Sequence, residues 1–446
     1  MRGRPDSLLR VTIVTVAAAL ALSRAPGLLS GQTTSTVIIE IKDQADITTI
    51  AGQFALTVID SVPELDSYLV SGDAATLSKL RRDPNVRSVE FNISTEISER
   101  AILNESTVAL LDPSTVALLD GQGSLWNSQN PSSSPILKQP AFQKIGLDPS
   151  AQPGSPITVA VIDTGIDPLH TMLIGSVLPG YNFIDGSLNT DELLDLDPAT
   201  RSILLQAGGR AGLTDTTVAV INPSTVALLD PAVISMMNSR PTPYFGHGTL
   251  VAGLIHSIAP TALIMPLKVF DPTGVGTSFR IAKAITYAAT HGAQVINMSF
   301  SMQADSSLVD DALHYAAGHN IVLIASIGNQ NLKVDKNYPS SYNKVVGVAS
   351  TDLKDLKADF SNYGPAANVA APGVALISAY PAGLYAVWSG TSASAALVSG
   401  EAAFIMSKRN AKADDASSRI CDRSDHLNDP PYQLGKGRIS LRNVLK

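Results

Sequence analysis

Four residues of this 446-residue chain have types and settings that suit chemistry at a carbonyl carbon. Asp163 closes the apolar run ITVAVI and opens the turn Asp-Thr-Gly-Ile-Asp; read alone, it is a turn or helix-capping aspartate. His247 stands between two glycines in Phe-Gly-His-Gly-Thr, just ahead of the apolar segment 250–258. That gives its ring open space and close backbone neighbours, though a surface loop histidine could look the same. Ser392 follows Ser-Gly-Thr and starts an Ala-rich helix expected to end near Met406. A serine there is an ordinary N-cap, or a nucleophile whose helix N-terminus offers N–H groups to a developing oxyanion. Asn329, in Ala-Ser-Ile-Gly-Asn, is a turn residue or a side-chain donor aimed at the same point.

Positioning four such groups requires a rigid scaffold, and from about residue 135 onward the pattern supplies one. Short β-branched runs at 157–162, 262–269, 295–298, 321–325 and 345–349 read as strands of a buried parallel sheet. Between them, 278–292 carries Ile281, Ala284, Ile285 and Ala288 at helical spacing, and 306–318 carries Val309, Ala312, Leu313 and Ala316. Alternation over this length predicts a doubly wound, mostly parallel α/β sheet with helices on both faces. Its working residues belong beyond the carboxyl ends of the strands. Upstream, 36–92 has the rhythm of a small α+β βαββαβ unit of ferredoxin-like type, with strands expected at 37–41, 54–59 and 86–91 and an Asp73-capped helix.

Taken in order, DTG, GHGT, the Gly-Asn strand end and GTS make the chain resemble the subtilisin-like serine proteases. The resemblance runs over roughly 135–442 and includes VINMSFS, YPSSY, FSNYG and AAPG. It implies Ser392 as nucleophile, His247 as general base and then acid, Asp163 as the carboxylate that orients the imidazole, and Asn329 as oxyanion donor beside the Ser392 N–H. Ser299, Phe300 and Ser301 would form an edge strand receiving the substrate, with 269–276 on its other side. Residues 36–92 resemble the inhibitory propeptide that precedes such enzymes. No cofactor is required; structural calcium is implied by the family alone, with no ligand cluster matching well enough to name. The implied partners are protein or peptide substrates and the chain's own propeptide, acting on a monomer.

The chain departs from the family pattern in places. Ala396 replaces the usual Pro after the nucleophile, Ala393 stands where Met or Phe is common, and Ser301 takes the place of a Gly in the substrate strand. From Asp163 to His247 is 84 residues, longer than usual, because of an insertion at about 185–243. So near His247, that insertion is expected to limit access by large substrates. It holds the third copy of STVALLD, at 224–230; the others lie at 106–112 and 114–120 in a linker at 93–134. With a period of 8, the repeat is too short for the common repeat folds, and reads as an expanded element tolerated in surface loops or as strands pairing between copies.

Arg2, Arg4 and Arg10 ahead of an apolar stretch at 11–22 lay out a secretory signal peptide over 1–31. Twelve helical residues cover about 18 Å, short of the roughly 30 Å hydrocarbon core, so no stable membrane anchor is expected. The predicted product is therefore a secreted zymogen with its catalytic domain at 135–446. A formal charge of −7 gives no basic field for nucleic acid. Cys421, the single cysteine, excludes an intramolecular disulfide and reads as a small apolar filler. Two rival classes remain. A pseudoprotease that only binds would not require all four residues, and an α/β-hydrolase esterase would need Gly-x-Ser-x-Gly and the order Ser, Asp, His.

Overall fold

The structure, a computed structural model, describes residues 34–97, 125–127, 129–151, 154–208, 217–222, 225–229, 242, 244–302, 304–428 and 432–446. The expected signal peptide and the two adjacent STVALLD copies lie outside the described residues.

The first unit comprises β1 (Thr34–Ile41), α1 (Ile47–Gln53), β2 (Thr57–Val62), β3 (Ser67–Asp73), α2 (Ala74–Leu80) and β4 (Val86–Phe91). Its antiparallel sheet has the order β2-β3-β1-β4. Both helices begin at an aspartate: Asp46 accepts from the N–H groups of Thr48 and Thr49, and Asp73 from that of Thr76. Strand alternation explains how the unit is held. Val37, Ile39 and Ile41 fill its own core with Ile50, Val70 and Leu80, while Ile38, on the opposite face, is buried in a cluster of the larger domain. The strand expected at 54–59 starts later, at Thr57. Phe54 closes α1, and Ala55 takes a positive φ of 48° that turns the chain before it can extend.

In the larger domain, β6 (Thr158–Asp163), β7 (Tyr181–Asn182), β10 (Leu263–Lys268), β12 (Val295–Met298), β13 (Val322–Ser326), β14 (Val345–Thr351) and β15 (Val369–Pro372) form a parallel sheet. The order β15-β14-β13-β12-β6-β10-β7 puts the first strand in the interior, with later strands added on either side. The switch point of the winding is therefore at β6. Val159 and Val161 face one core cluster, Ala160 and Ile162 the other. α5 (His247–Ile258), α8 (Thr391–Arg409) and α9 (Ala413–Asp422) cover the first face; α6 (Ser278–Thr290) and α7 (Ser307–Gly318) cover the second. The sequence-predicted strands and helices of this sheet are all present, within one or two residues at most ends. Two shorter helices, α3 (Pro140–Lys144) and α4 (Pro198–Gly208), pack Phe142 and Leu204 into the first cluster.

A separate four-stranded sheet flanks α5. β16 (Leu376–Tyr380) and β17 (Leu384–Trp388) form a hairpin, and the insertion adds β8 (Thr217–Asn222) and β9 (Thr225–Leu229) in the order β16-β17-β9-β8. β9 is the third STVALLD copy, paired antiparallel with β17 from Thr225 to Ala227. The sequence at 216–223, TTVAVINP, is a degenerate copy of the same octad, so β8 and β9 are one tandem pair folded on itself. Cys421 is partly buried against the first cluster, and burial pushes its thiol up to about 11, the property of a filler rather than of a reactive thiol.

Candidate active site

Register brings the site together before any side chain is considered. Val159 and Val161 of β6 lie beside Val295 and Asn297 of β12, and Met298 beside Ala325 of β13. The carboxyl ends of three adjacent strands thus deliver Asp163, Ser299 and the turn leading to Asn329 to one edge of the sheet.

Asp163 Oδ1 lies 2.7 Å from His247 Nδ1, and both side chains are buried. The same oxygen accepts from the Thr164 N–H at 2.7 Å, while Oδ2 has no partner among the described residues. The carboxylate's hold on the imidazole therefore runs through Oδ1. His247 is the first residue of α5, and two glycines put it there. Gly246 has a φ of 87°, and a Cβ on it would lie 2.5 Å from the Tyr380 ring. A Cβ on Gly248 would lie 1.9 Å from the Gly165 carbonyl oxygen, so only glycine lets α5 start against the Asp163 turn. Trp388 packs against the imidazole in a T-shaped pair with centroids 4.9 Å apart.

Ser392 is the second residue of α8, after Gly390 as N-cap, so it does not serve as the cap itself. Its Oγ donates to the Ser299 carbonyl at 3.0 Å, and Ser299 Oγ donates to the Ser392 carbonyl at 3.1 Å. Asn329 Oδ1 accepts from the Thr391 N–H at 2.8 Å, which fixes its carboxamide one residue from Ser392. The four sequence-predicted residues thus stand in two groups, Asp163 with His247 at the start of α5 and Asn329 beside Ser392 at the start of α8. Ser299, Phe300 and Ser301 are buried next to them, but the edge strand expected there is not formed. β12 ends at Met298, and the local ties are made by side chains: Ser326 Oγ donates to the Phe300 carbonyl, and Asn337 Nδ2 to Ser301 Oγ at 3.2 Å.

Buried polar side chains unforeseen from the sequence brace this edge. Glu192, from the insertion, is completely buried and receives four donors. Oε1 accepts from Thr164 Oγ1 at 2.5 Å and the Gly246 N–H at 3.1 Å; Oε2 accepts from the Thr249 N–H at 3.2 Å and from Thr249 Oγ1. Its carboxylate fastens the Asp163 turn to the first turn of α5. Burial pushes it up to about 7, against the opposing pull of hydrogen bonds from Thr164 and Thr249 and the charge of Lys268. Lys268, also buried, donates to the Thr164 carbonyl and, at 2.8 Å, to Asp195. In sequence, Glu192 was one acid among several in an acidic stretch, with no spacing to single it out.

The N-terminal unit reaches the same region. β5 (Ser94–Glu96) pairs antiparallel with β11 (Val275–Thr277), and the Ile97 N–H donates to the Gly274 carbonyl at 2.9 Å. Ile97 is buried in the cluster that holds Phe270 and Phe300, and the Phe270 N–H bonds the Asp163 carbonyl. Further out, Glu90 accepts from Ser306 Oγ, Ser307 N and Oγ and Leu308 N at the start of α7. Asn92 Oδ1 accepts from Phe279 N at the start of α6, and Lys283 pairs with Asp60 at 2.5 Å. Both helices are thus met at their positive ends. Among the described residues no three His, Cys, Asp or Glu side chains group as a metal site.

A doubly wound sheet with an Asp–His pair at its switch point and a serine at a neighbouring helix N-terminus defines an α/β serine hydrolase. The comparisons narrow this. The model of the subtilase family matches residues 154–424. Thermitase of Thermoactinomyces vulgaris is 30% identical over 303 residues, 66% of this chain and 90% of thermitase. Subtilisin DY of Bacillus licheniformis is 32% identical over 325 residues, 70% of this chain and 97% of that protein. Among solved structures, the epidermin leader peptide processing serine protease of Staphylococcus aureus aligns with a TM-score of 0.66 at 19% identity, covering 93% of this chain and 99% of that one, a likeness of fold. The chain belongs to the subtilase family and is a serine-type endopeptidase.

Proposed function

We propose that this endopeptidase is a secreted, self-processing zymogen that cleaves peptide bonds through an acyl-enzyme on Ser392. The observation that carries the reading is the buried 2.7 Å contact of Asp163 with His247 Nδ1, at the sheet edge that also presents Ser392. With Nδ1 committed to the carboxylate, Nε2 is the nitrogen that takes the Ser392 proton as Oγ attacks the carbonyl carbon, and returns it to the departing amine. Water then repeats the sequence on the ester and releases the acid. Negative charge on the carbonyl oxygen is met by the Ser392 N–H at the start of α8 and by the Asn329 carboxamide. Losing such a side-chain donor in a subtilisin costs about 10²–10³ in kcat. Ser299, Phe300 and Ser301 on one side and β11 on the other would hold the substrate backbone.

The zymogen reading is supported by the N-terminal unit, which acts as an intramolecular inhibitor. β5 lies along β11, where a substrate strand would add, and ends at Ile97 within the Phe270 cluster. Cleavage would fall between about Asn92 and Pro135 and release the mature enzyme as a monomer. The Arg-flanked apolar segment at 11–22 supports export, and no helix among the described residues is long and apolar enough to cross a membrane.

The test is intact mass and N-terminal sequencing of the wild-type chain beside Ser392→Ala, with both assayed on an unfolded protein substrate. Wild type should lose its N-terminal unit and cleave the substrate, while the variant stays whole and inactive. Processing of both chains alike would remove self-cleavage, and activity in Ser392→Ala would remove the triad. A mature N-terminus upstream of Ser106 would leave the adjacent repeats on the enzyme rather than in a maturation linker.

A further inference from the structure

We propose that Glu192 is a positioning residue that sets how strongly Asp163 holds the His247 imidazole, acting through the single hydroxyl proton of Thr164. The inference rests on the triad reading above. Thr164 Oγ1 has one proton and two carboxylates within reach, Glu192 Oε1 at 2.5 Å and Asp163 Oδ1 at 3.1 Å, and it accepts the Gly248 N–H at 3.0 Å. An ionised Glu192 takes that proton and leaves Asp163 Oδ1 to the Thr164 N–H and the imidazole. When a proton from solvent binds Oε1, the carboxyl donates to Thr164 Oγ1, and the Thr164 hydroxyl turns its own proton to Asp163. That added donor lands on the very oxygen that orients His247, because Oδ2 has no partner among the described residues.

Both arrangements keep the Thr164 and Thr249 hydroxyls partnered, the condition for a two-state relay. Thr164 Oγ1 can accept from Gly248 and from the carboxyl at once. Thr249 Oγ1 continues to donate to Oε2 while accepting the Asp167 N–H at 2.9 Å. The charged and titratable groups facing Glu192 are few. Asp163 lies across Thr164; Lys268 bonds the Thr164 carbonyl and Asp195; the Tyr380 hydroxyl, buried and unpartnered among the described residues, feels the Glu192 charge from β16. Burial against Lys268 and the threonine donors leaves the carboxyl titrating near 7, so both states are sampled across neutral pH.

Through the contacts above, the Glu192 carboxyl is within about 8 Å of His247 Nδ1. Unit charges that far apart at an effective dielectric of 20–40 shift a titration by about one pH unit. Removing the charge and handing the Thr164 proton to Asp163 both disfavour the imidazolium.

The experiment is kcat/KM against pH from 5 to 9 for the mature enzyme on a peptide amide, comparing wild type, Glu192→Gln, Thr164→Val and the double variant, with unprocessed Ser392→Ala as the inactive control. The acid limb of Glu192→Gln should move down by more than the charge alone supplies, about one unit, and in the Thr164→Val background, where the charge acts alone, the same substitution should move it measurably less. A Glu192→Gln profile that is lower but unmoved overturns the proposal and leaves a structural staple. An equal shift in the Thr164→Val background overturns the relay, since the charge then acts through space. If Glu192→Gln does not accumulate, Thr164→Val against Thr164→Ser decides: the valine should raise the limb and the serine overlay wild type, and coincident limbs overturn the idea. Activity in Ser392→Ala would instead refute the triad, an outcome distinct from all of these.

Discussion

Glu401 should make the folded chain less stable as pH rises, and Glu401→Gln should remove that loss. The side chain lies in the middle of α8 with no exposure; Oε1 accepts from the Ser440 N–H at 3.2 Å, and Oε2 has no partner among the described residues. Burial, with a smaller contribution from Asp425, pushes it from an ordinary value of 4.5 up to about 8. Between those limits the folded chain holds a proton that the unfolded chain has released, so protons are lost on unfolding and stability falls with rising pH. At about 1.36 kcal/mol per unit, the full shift amounts to about 5 kcal/mol above pH 8 and nothing below pH 4.5. Glutamine keeps the acceptor for Ser440 and carries no charge. The assay is urea unfolding from pH 5.5 to 9, followed by fluorescence of the buried Trp126 and Trp388, with Ser392→Ala in both chains to prevent autolysis. Titrations common to both chains cancel in the difference curve. The stability of Glu401→Gln relative to Glu401 should climb by several kcal/mol from pH 5.5 to 9. A flat difference would refute the reasoning, because a carboxylate that ionises in place at no cost is not in an apolar site.

Gly246→Ala should cost at least about 2 kcal/mol, from a positive φ and a Cβ against the buried Tyr380 ring, and lower kcat more than tenfold; thermal melts and initial rates check both. Glu90→Ala, in an unprocessed Ser392→Ala chain, removes a carboxylate from the start of α7, a change of about 1 kcal/mol at a half-buried helix end. Hydrogen exchange at the Ile97 N–H should then quicken several-fold, and unchanged protection would show that the contact contributes nothing to docking.

Much of this architecture was legible because it rests on periodicity. Ile281, Ala284, Ile285 and Ala288 are all buried on α6, and Val309, Ala312, Leu313 and Ala316 on α7, where the spacing put them. The local settings of Asp163, His247, Asn329 and Ser392 were legible because each sits beside glycine or a strand end that restricts the backbone around it. Glu192 was not, because its importance lies entirely in tertiary contacts with Thr164, Gly246 and Thr249, residues 28 to 57 positions away. The segment 299–301 is a different case. Its apolar and small residues suit a strand, but its backbone partner is a substrate or nothing, and Ser392 and Ser326 bond its carbonyls instead.

The hairpin of β8 and β9 gives the octad repeat a geometric meaning. β8 and β9 are strands of six and five residues that pair antiparallel with each other, so the tandem pair closes on itself, as Val220 opposite Val226 and Thr217 opposite Leu229 attest. Gain or loss of such pairs changes the width of a sheet at its free margin while the seam with β17, and the approach to Ser392 beyond it, keeps its register. Slippage during replication, which duplicates or deletes whole units, would therefore act here as a coarse dial on the rim of the enzyme rather than as a frameshift of its core.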